Sequence, residues 1–108
     1  MITFDRCLAW QDSLTLWNKV LQGNPRDANA YVNRGATFIK NLDVRRKYGL
    51  SRRDVYRLAH HDFERAVDLA PRDEDAWHNL SVTLRYWGEE DKADKAQAMA
   101  IRLGWQPH

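Results

Sequence analysis

Lys40, Arg45, Arg46, Lys47, Arg52, Arg53 and Arg57 crowd into residues 40–57, with only Asp43 and Asp54 to offset them. This stretch carries a net +5, so within an overall formal charge of +2 the rest of the chain stands at −3. Charge segregated this way makes a patch and not a uniform background, and cations at such density suit phosphate or carboxylate. Arg45, Arg46 and Lys47 fall where a helix is expected to end, and cations there complement the macrodipole. Arg52 and Arg53 fall in the expected first turn of the next helix, where the dipole disfavours them. Helix stability does not account for that pair, so a partner is the better explanation. Tyr48 and Tyr56 interleave the cations and can either stack on bases or brace the segment.

Other chemistry is poorly represented. His60 and Glu64 stand one helical turn apart, but two ligands do not make a metal site, and the second His–Glu pair of a bundle site is missing. Ser51 and Ser81 have no base at a recognisable spacing, and there is no Gly-rich phosphate loop. The single Cys7 excludes an internal disulfide and reads as a small apolar residue. The chain is therefore expected to be a non-enzyme with no metal and no cofactor. No apolar run approaches the ~20 residues that span a bilayer, so no membrane partner is expected. Its opening residues, Met-Ile-Thr-Phe-Asp-Arg-Cys, do not read as a signal peptide, and the expected location is cytoplasmic.

The elements that must position these residues are helical throughout. At 108 residues, 44% hydrophobic and 30% charged, the chain suits one domain. No stretch alternates with period two, whereas Trp10, Leu14, Trp17 and Leu21, and later Val55, Ala59, Phe63 and Ala66, form helical stripes. The first helix is expected from about Phe4 or Ala9 to Gln22, with Gly23 as a left-handed cap and Asn24-Pro25 as the stop. Asp27 caps a second helix that runs through Tyr31, Gly35, Phe38 and Leu42 to Gly49. Ser51 and Asp54 form a capping box for a third, which reaches about Ala70. Asp73 caps a fourth that ends at Gly88, and a fifth runs from about Glu90 to Gly104. Short connections predict antiparallel neighbours.

Self-similarity organises these helices. Pro25 and Pro71 lie 46 residues apart, and Ala28–Gly35 aligns with Glu74–Ser81, with Tyr31 opposite Trp77 and Asn33 opposite Asn79. Such a period means stacked copies of one supersecondary unit. The residues resemble the tetratricopeptide repeat family. In the last repeat Trp77 and Leu80 match its pattern, with Ser81 and Leu84 as replacements, Ala93 and Ala100 at small positions, and Gln97 where the family has an aromatic. Tyr31, Gly35, Phe38, Ala59, Phe63, Ala66 and Pro71 match in the middle repeat, and Trp17, Val20 and Pro25 look like the second helix of a repeat lacking its first. The resemblance implies an all-α, short right-handed α-solenoid of about five antiparallel helices in one domain, 1–108: a half repeat at 4–26, a repeat with the basic insert at 27–72, and a repeat at 73–106. Small residues such as Gly35 and Ala59 would let paired helices approach, while Phe63 and Trp77 would fill the gaps between pairs.

The family unit is about 34 residues, so this period holds about twelve more, and they fall in the basic segment. Shared between two helices they would add about 9 Å to each, elongating the middle pair into a protruding basic hairpin with Lys47-Tyr48-Gly49-Leu50 at its tip.

The resemblance also implies a concave face that holds an extended or helical peptide. Its groove positions would be Asn29, Val32, Asn33, Ala36 and Lys40 on one helix, and Asp75, His78, Asn79, Val82, Arg85 and Tyr86 on the other. Asn side chains can serve a peptide backbone, and Arg85 can pair with a carboxylate. Asp75 and His78 stand where chaperone-tail binders need cations, so that activity is not expected. Asn33 and Asn79 also occupy a position the family commonly fills with Asn, which suits a structural role equally well. The expected function is a protein-interaction adaptor binding a peptide or protein through this face and through the hairpin. The alternative is a nucleic-acid or polyanion-binding accessory that uses the Arg-rich hairpin 40–57. Self-association through the end helices is a further expectation, because Trp10 and Trp17 at one end, and Ala96, Met99, Ala100 and Leu103 at the other, lack capping helices unless Trp105 folds back over that edge.

Overall fold

The repeated Pro-x-Asp signature builds the same local structure twice. Asp27 accepts a hydrogen bond from the Ala30 amide at 3.1 Å, and Asp73 accepts from the Ala76 amide at 3.4 Å. The Tyr31 hydroxyl donates to the Pro25 carbonyl at 3.1 Å, and the Trp77 indole donates to the Pro71 carbonyl at 2.8 Å. Each aspartate satisfies an orphan amide of the helix it opens, and each ring ties the first turn to the preceding loop. Ala30 and Ala76, which follow at matching positions, are both fully buried.

In the computed structural model, which describes residues 13–107, the chain folds into six helices with no strand among the described residues. They are α1 (Ser13–Gly23), α2 (Ala28–Lys40), α3 (Leu42–Lys47), α4 (Arg52–Leu69), α5 (Glu74–Tyr86) and α6 (Glu90–Arg102). Packing joins α1 to α2, α2 to α4, α4 to α5 and α5 to α6. The expected start of the first helix, with Phe4, Cys7, Ala9 and Trp10, lies outside the described residues.

The centre of the core is the junction of α2 and α4. Phe63 and Ala59 are completely buried on α4, and Gly35 faces them from α2. A methyl group on Gly35 would stand 2.6 Å from Cε1 of Phe63. The missing side chain is therefore what lets the helices come this close, and the ring occupies the space. Beside this contact lies a bidentate ion pair. Arg34 donates from Nε and Nη2 to Asp62 at 2.9 and 2.7 Å, and from Nη1 to Asn18 at 2.9 Å, so one guanidinium joins α1, α2 and α4. The Asp62 carboxylate is buried, while the Arg34 side chain is 23% exposed and lies over the Tyr31 ring. Its hydrogen bonds with Asp62 push the guanidinium's pKa up.

Two expectations about helix ends are corrected. Gly23 does not provide a left-handed cap; it closes α1 outside the positive-φ region. Asn24 makes the turn instead, accepting from the Arg26 amide through its side chain and from the Asp27 amide through its carbonyl. The second correction concerns the basic insert. α2 stops at Lys40, because Asn41 leaves helical geometry and caps a new helix, accepting from the Asp43 and Val44 amides at 3.0 and 3.2 Å. The short α3 that follows carries Val44 into the core, 1% exposed, in the cluster that also holds Val55. The insert is thus anchored to the body. Only α4, at 18 residues against 13 in α2, is elongated, and no matched pair of arms projects. Burying a valine is worth about 1.5 kcal/mol or more, which a straight extension into water would forgo.

The remaining ends follow local chemistry. Ser51 and Asp54 form a full capping box at the start of α4. Hydrogen bonds from the Ser51 backbone and side chain hold the Asp54 carboxyl below its ordinary pKa. Gly49 ends α3 at φ 64°, with the Leu50 amide donating to the Arg45 carbonyl at 2.9 Å, a Schellman closure that needs a left-handed residue.

Two stability outcomes follow from this core. Gly35→Ala gains about 1 kcal/mol of helix propensity but overpacks Phe63 at a cost of about 1–3 kcal/mol, so urea unfolding should show net destabilisation; a stabilised variant would mean the helices are not in close contact here. Arg34→Met leaves a buried carboxylate unpaired and should cost about 3 kcal/mol. Adding Asp62→Leu to it should restore part of that loss, and purely additive losses would contradict coupling.

Candidate functional site

Residues at helical spacing on α2 and α5 line one cleft of about 400 Å³. Val32, Asn33, Ala36, Ile39 and Lys40 come from α2; Asp75, His78, Asn79 and Val82 come from α5; Trp105 closes it. Steps of three and four residues put each set on one helix face. Asn33 corresponds to Asn79, and Ala36 to Val82, at the 46-residue offset, so the two walls come from the stretches that match in sequence. A second cleft of about 620 Å³, lined by Trp17 of α1 and by Asn41 and Asp43, shares Asn33, Ala36 and Lys40 with the first. Together they make a surface that runs from Trp17 across α2 to Trp105.

Trp105 reaches the cleft because of how α6 ends. Gly104 adopts φ 111°, its amide donates to the Ile101 carbonyl at 3.0 Å, and the Trp105 amide donates to the Ala100 carbonyl at 2.9 Å. This closure turns the chain back, and the indole stacks on His78 with centroids 4.0 Å apart and planes 16° from parallel. The Gln97 side chain holds His78 from below, meeting Nδ1 at 2.9 Å, and it also bonds the Ser81 hydroxyl. His78 is therefore fixed by an amide at its edge and a ring on its face. Trp105 folds back into this cleft and not over the Ala96–Met99 edge, where sequence reading would have it cap the last helix. On the other side of α5 and α6 an apolar depression of about 320 Å³, lined by Trp77, Leu80, Leu84, Ala96 and Met99 between Lys92 and Lys95, stays open.

The side chains of Asn33 and Asn79 are half-buried on the cleft wall and make no hydrogen bond to protein among the described residues. Half-buried amides without partners are open to a ligand. Eight of the eleven groove residues expected from sequence, Val32, Asn33, Ala36, Lys40, Asp75, His78, Asn79 and Val82, line this cleft. Three do not. Asn29 is exposed near the start of α2 and lines neither cleft. Arg85 turns to α6, bonding Glu90 at 2.7 Å and Asp94 at 3.3 Å. Tyr86 stacks on Tyr56, centroids 4.0 Å apart, with Trp87 at its edge. Sequence reading also omitted Trp17, Ile39 and Trp105 from the cleft; for Trp105 the signal was its place directly after a helix-ending glycine.

The basic residues gather where α3 meets α4. Among the described residues Arg46 and Arg52 are exposed and make no side-chain hydrogen bond or ion pair, and Arg45 is half-buried with an Nε that is shielded from water and has no acceptor. Arg57 pairs with Asp54 at 3.2 Å, Lys47 lies over the Tyr48 ring, and Arg53 lies 5.5 Å from the Trp87 ring centroid. The last contact gives Arg53 an internal partner that the sequence reading did not foresee. His60 and Glu64 do meet, at 3.3 Å, while the other ring nitrogen of His60 bonds the buried Thr83 hydroxyl, so the histidine ties α4 to α5. No three His, Cys, Asp or Glu converge among the described residues, and no described helix is long and apolar enough to cross a membrane.

Neither the models of known protein families nor the curated proteins compared with this chain yield a match.

Trp105→Ala should free the face of His78. Its ring protons should move downfield in carbon–proton spectra as the indole ring current disappears, with a stability loss of about 0.5–1.5 kcal/mol. Unchanged His78 signals would show that the two rings are not stacked in solution.

Proposed function

We propose that this chain is a non-catalytic, cytoplasmic protein-interaction module of the tetratricopeptide-repeat kind, which holds a partner peptide in the cleft between α2 and α5. The observation that carries this reading is the matched pair Asn33 and Asn79: two amides 46 positions apart, both on the wall of one cleft, neither hydrogen-bonded to protein among the described residues. An extended peptide offers alternating carbonyl and amide groups, and a carboxamide serves both. Ala36 and Val82 keep the floor between them small and apolar, while Lys40 and Asp75 supply one charge of each sign.

The repeat reading draws on the doubled Pro-x-Asp cap, the doubled ring-to-proline hydrogen bond and the Gly35–Phe63 approach. On that reading α1 ends a half repeat, α2 and α4 pair as a hairpin with α3 inserted at their corner, and α5 and α6 pair as the next, giving a short right-handed solenoid. Chemistry on the substrate is not part of the proposal, since the cleft gathers amides, small apolar groups and a stacked histidine and no nucleophile beside a base.

Selection of random peptides on the immobilised chain tests it. Binders should be recovered whose affinity falls at least about tenfold when Asn33→Ala and Asn79→Ala are combined, the loss of two buried hydrogen bonds at about 1 kcal/mol each. Binders indifferent to that pair and to Val82→Arg, or none at all, would contradict a peptide-binding cleft.

A further inference from the structure

The insert between α2 and α4 has a use of its own. We propose that the corner where α3 meets α4 binds single-stranded nucleic acid, gripping phosphates with Arg45, Arg46 and Arg52 and stacking a base on Tyr48. This goes beyond the peptide cleft, because none of these residues lines it.

Anchoring is the first argument. Val44 is buried in the core, and the Leu50 amide closes back on the Arg45 carbonyl at 2.9 Å, so α3 ends in a closed turn directly before the Ser51 cap of α4. The two groups of arginines, 45–46 and 52–53, thus flank a short turn whose start is tied to the core by Val44. A fixed cationic surface loses less entropy on binding than a mobile one.

The second is unsatisfied charge. Among the described residues Arg46 and Arg52 lack any side-chain partner, and the Nε of Arg45 is buried without an acceptor. Buried donors are rarely left so. Arg45, Arg46, Gly49 and Leu50 line a depression of about 310 Å³ in which an oxyanion can meet these guanidinium groups. Of the two carboxylates within residues 40–57, Asp54 is committed to the Ser51 cap and to Arg57, which leaves Asp43. Arg52 also gains nothing from its helix, since it opens α4 at the positive end of the dipole.

The third is residue type. Five of the six cations between 45 and 57 are arginine, whose planar fork matches phosphate oxygens two at a time. Tyr48 sits among them 46% exposed, with Lys47 over its ring. An exposed ring beside arginines serves an unpaired base, which a duplex or an acidic peptide does not offer. α3, at six residues, spans only about 9 Å, too short to lie along a duplex groove.

Fluorescence anisotropy with a labelled twelve-nucleotide oligo-U tests this on the full chain. Binding is expected in the micromolar range at 50 mM salt, with log affinity falling against log salt at a slope of about −2 to −3, the value for three or four neutralised phosphates. Arg46→Glu with Arg52→Glu removes two unpaired side chains, so the thermal melt should be unchanged while affinity falls at least about tenfold. Tyr48→Ala should cost about fivefold or more, and Asn33→Ala with Asn79→Ala should cost nothing. No binding at 50 mM salt, or full affinity in the double-glutamate variant, overturns the proposal. So does equal affinity of the wild type for a duplex of the same length, full affinity in Tyr48→Ala, or displacement of the RNA by poly-glutamate at matched charge.

Discussion

The fold depends on a hydrogen atom standing where a methyl group would collide. Gly35 has no side chain, and the Phe63 ring fills the space a Cβ would need, 2.6 Å from Cε1. Because α2 and α4 meet this closely, Arg34 one residue before Gly35 reaches Asp62 one residue before Phe63, and the buried carboxylate finds its two-pronged partner. Dispersion and ion pairing thus reinforce each other at one crossing. The adjoining face of α2, with Val32, Asn33 and Ala36, is set by the same crossing, and it forms one wall of the cleft.

Two surfaces of different chemistry result. The cleft is small, apolar on its floor and lined with amides that bond no other described residue, properties suited to a neutral backbone. The α3–α4 corner is cationic and exposed, with its charges fixed by a buried valine and a Schellman turn. Long-range attraction is the province of the second; short-range fit belongs to the first. The cationic segment lies between the two stretches that match at the 46-residue offset, so the corner and the cleft walls occupy separate parts of the chain.

What could be read in the chain was whatever is decided within four or five residues. Asp27, Asp73 and the Ser51–Asp54 box announce helix starts because their side chains reach the nearest orphan amides. Gly49, Gly88 and Gly104 announce ends because they accept positive φ. Asn41 was opaque for the opposite reason. An asparagine can ride within a helix or cap one, and the choice turned on whether Val44, three residues on, found a core to enter. Arg34 and Asp62 lie 28 positions apart, and no local pattern marks them as partners. The family resemblance puts Arg85 and Tyr86 in the groove, but Glu90, Asp94 and Tyr56 engage them instead.

The central claim is that α2 and α5 present one continuous recognition wall. Backbone amide spectra of the labelled chain, titrated with a peptide selected for binding, address it most directly. Shifts that cluster at Asn33, Ala36, Asn79, Val82 and the Trp105 indole, and spare the outer faces of α1 and α6, are the predicted result. Shifts confined to the apolar depression around Leu84, Ala96 and Met99, with the Asn33 and Asn79 side-chain amides unmoved, would contradict it.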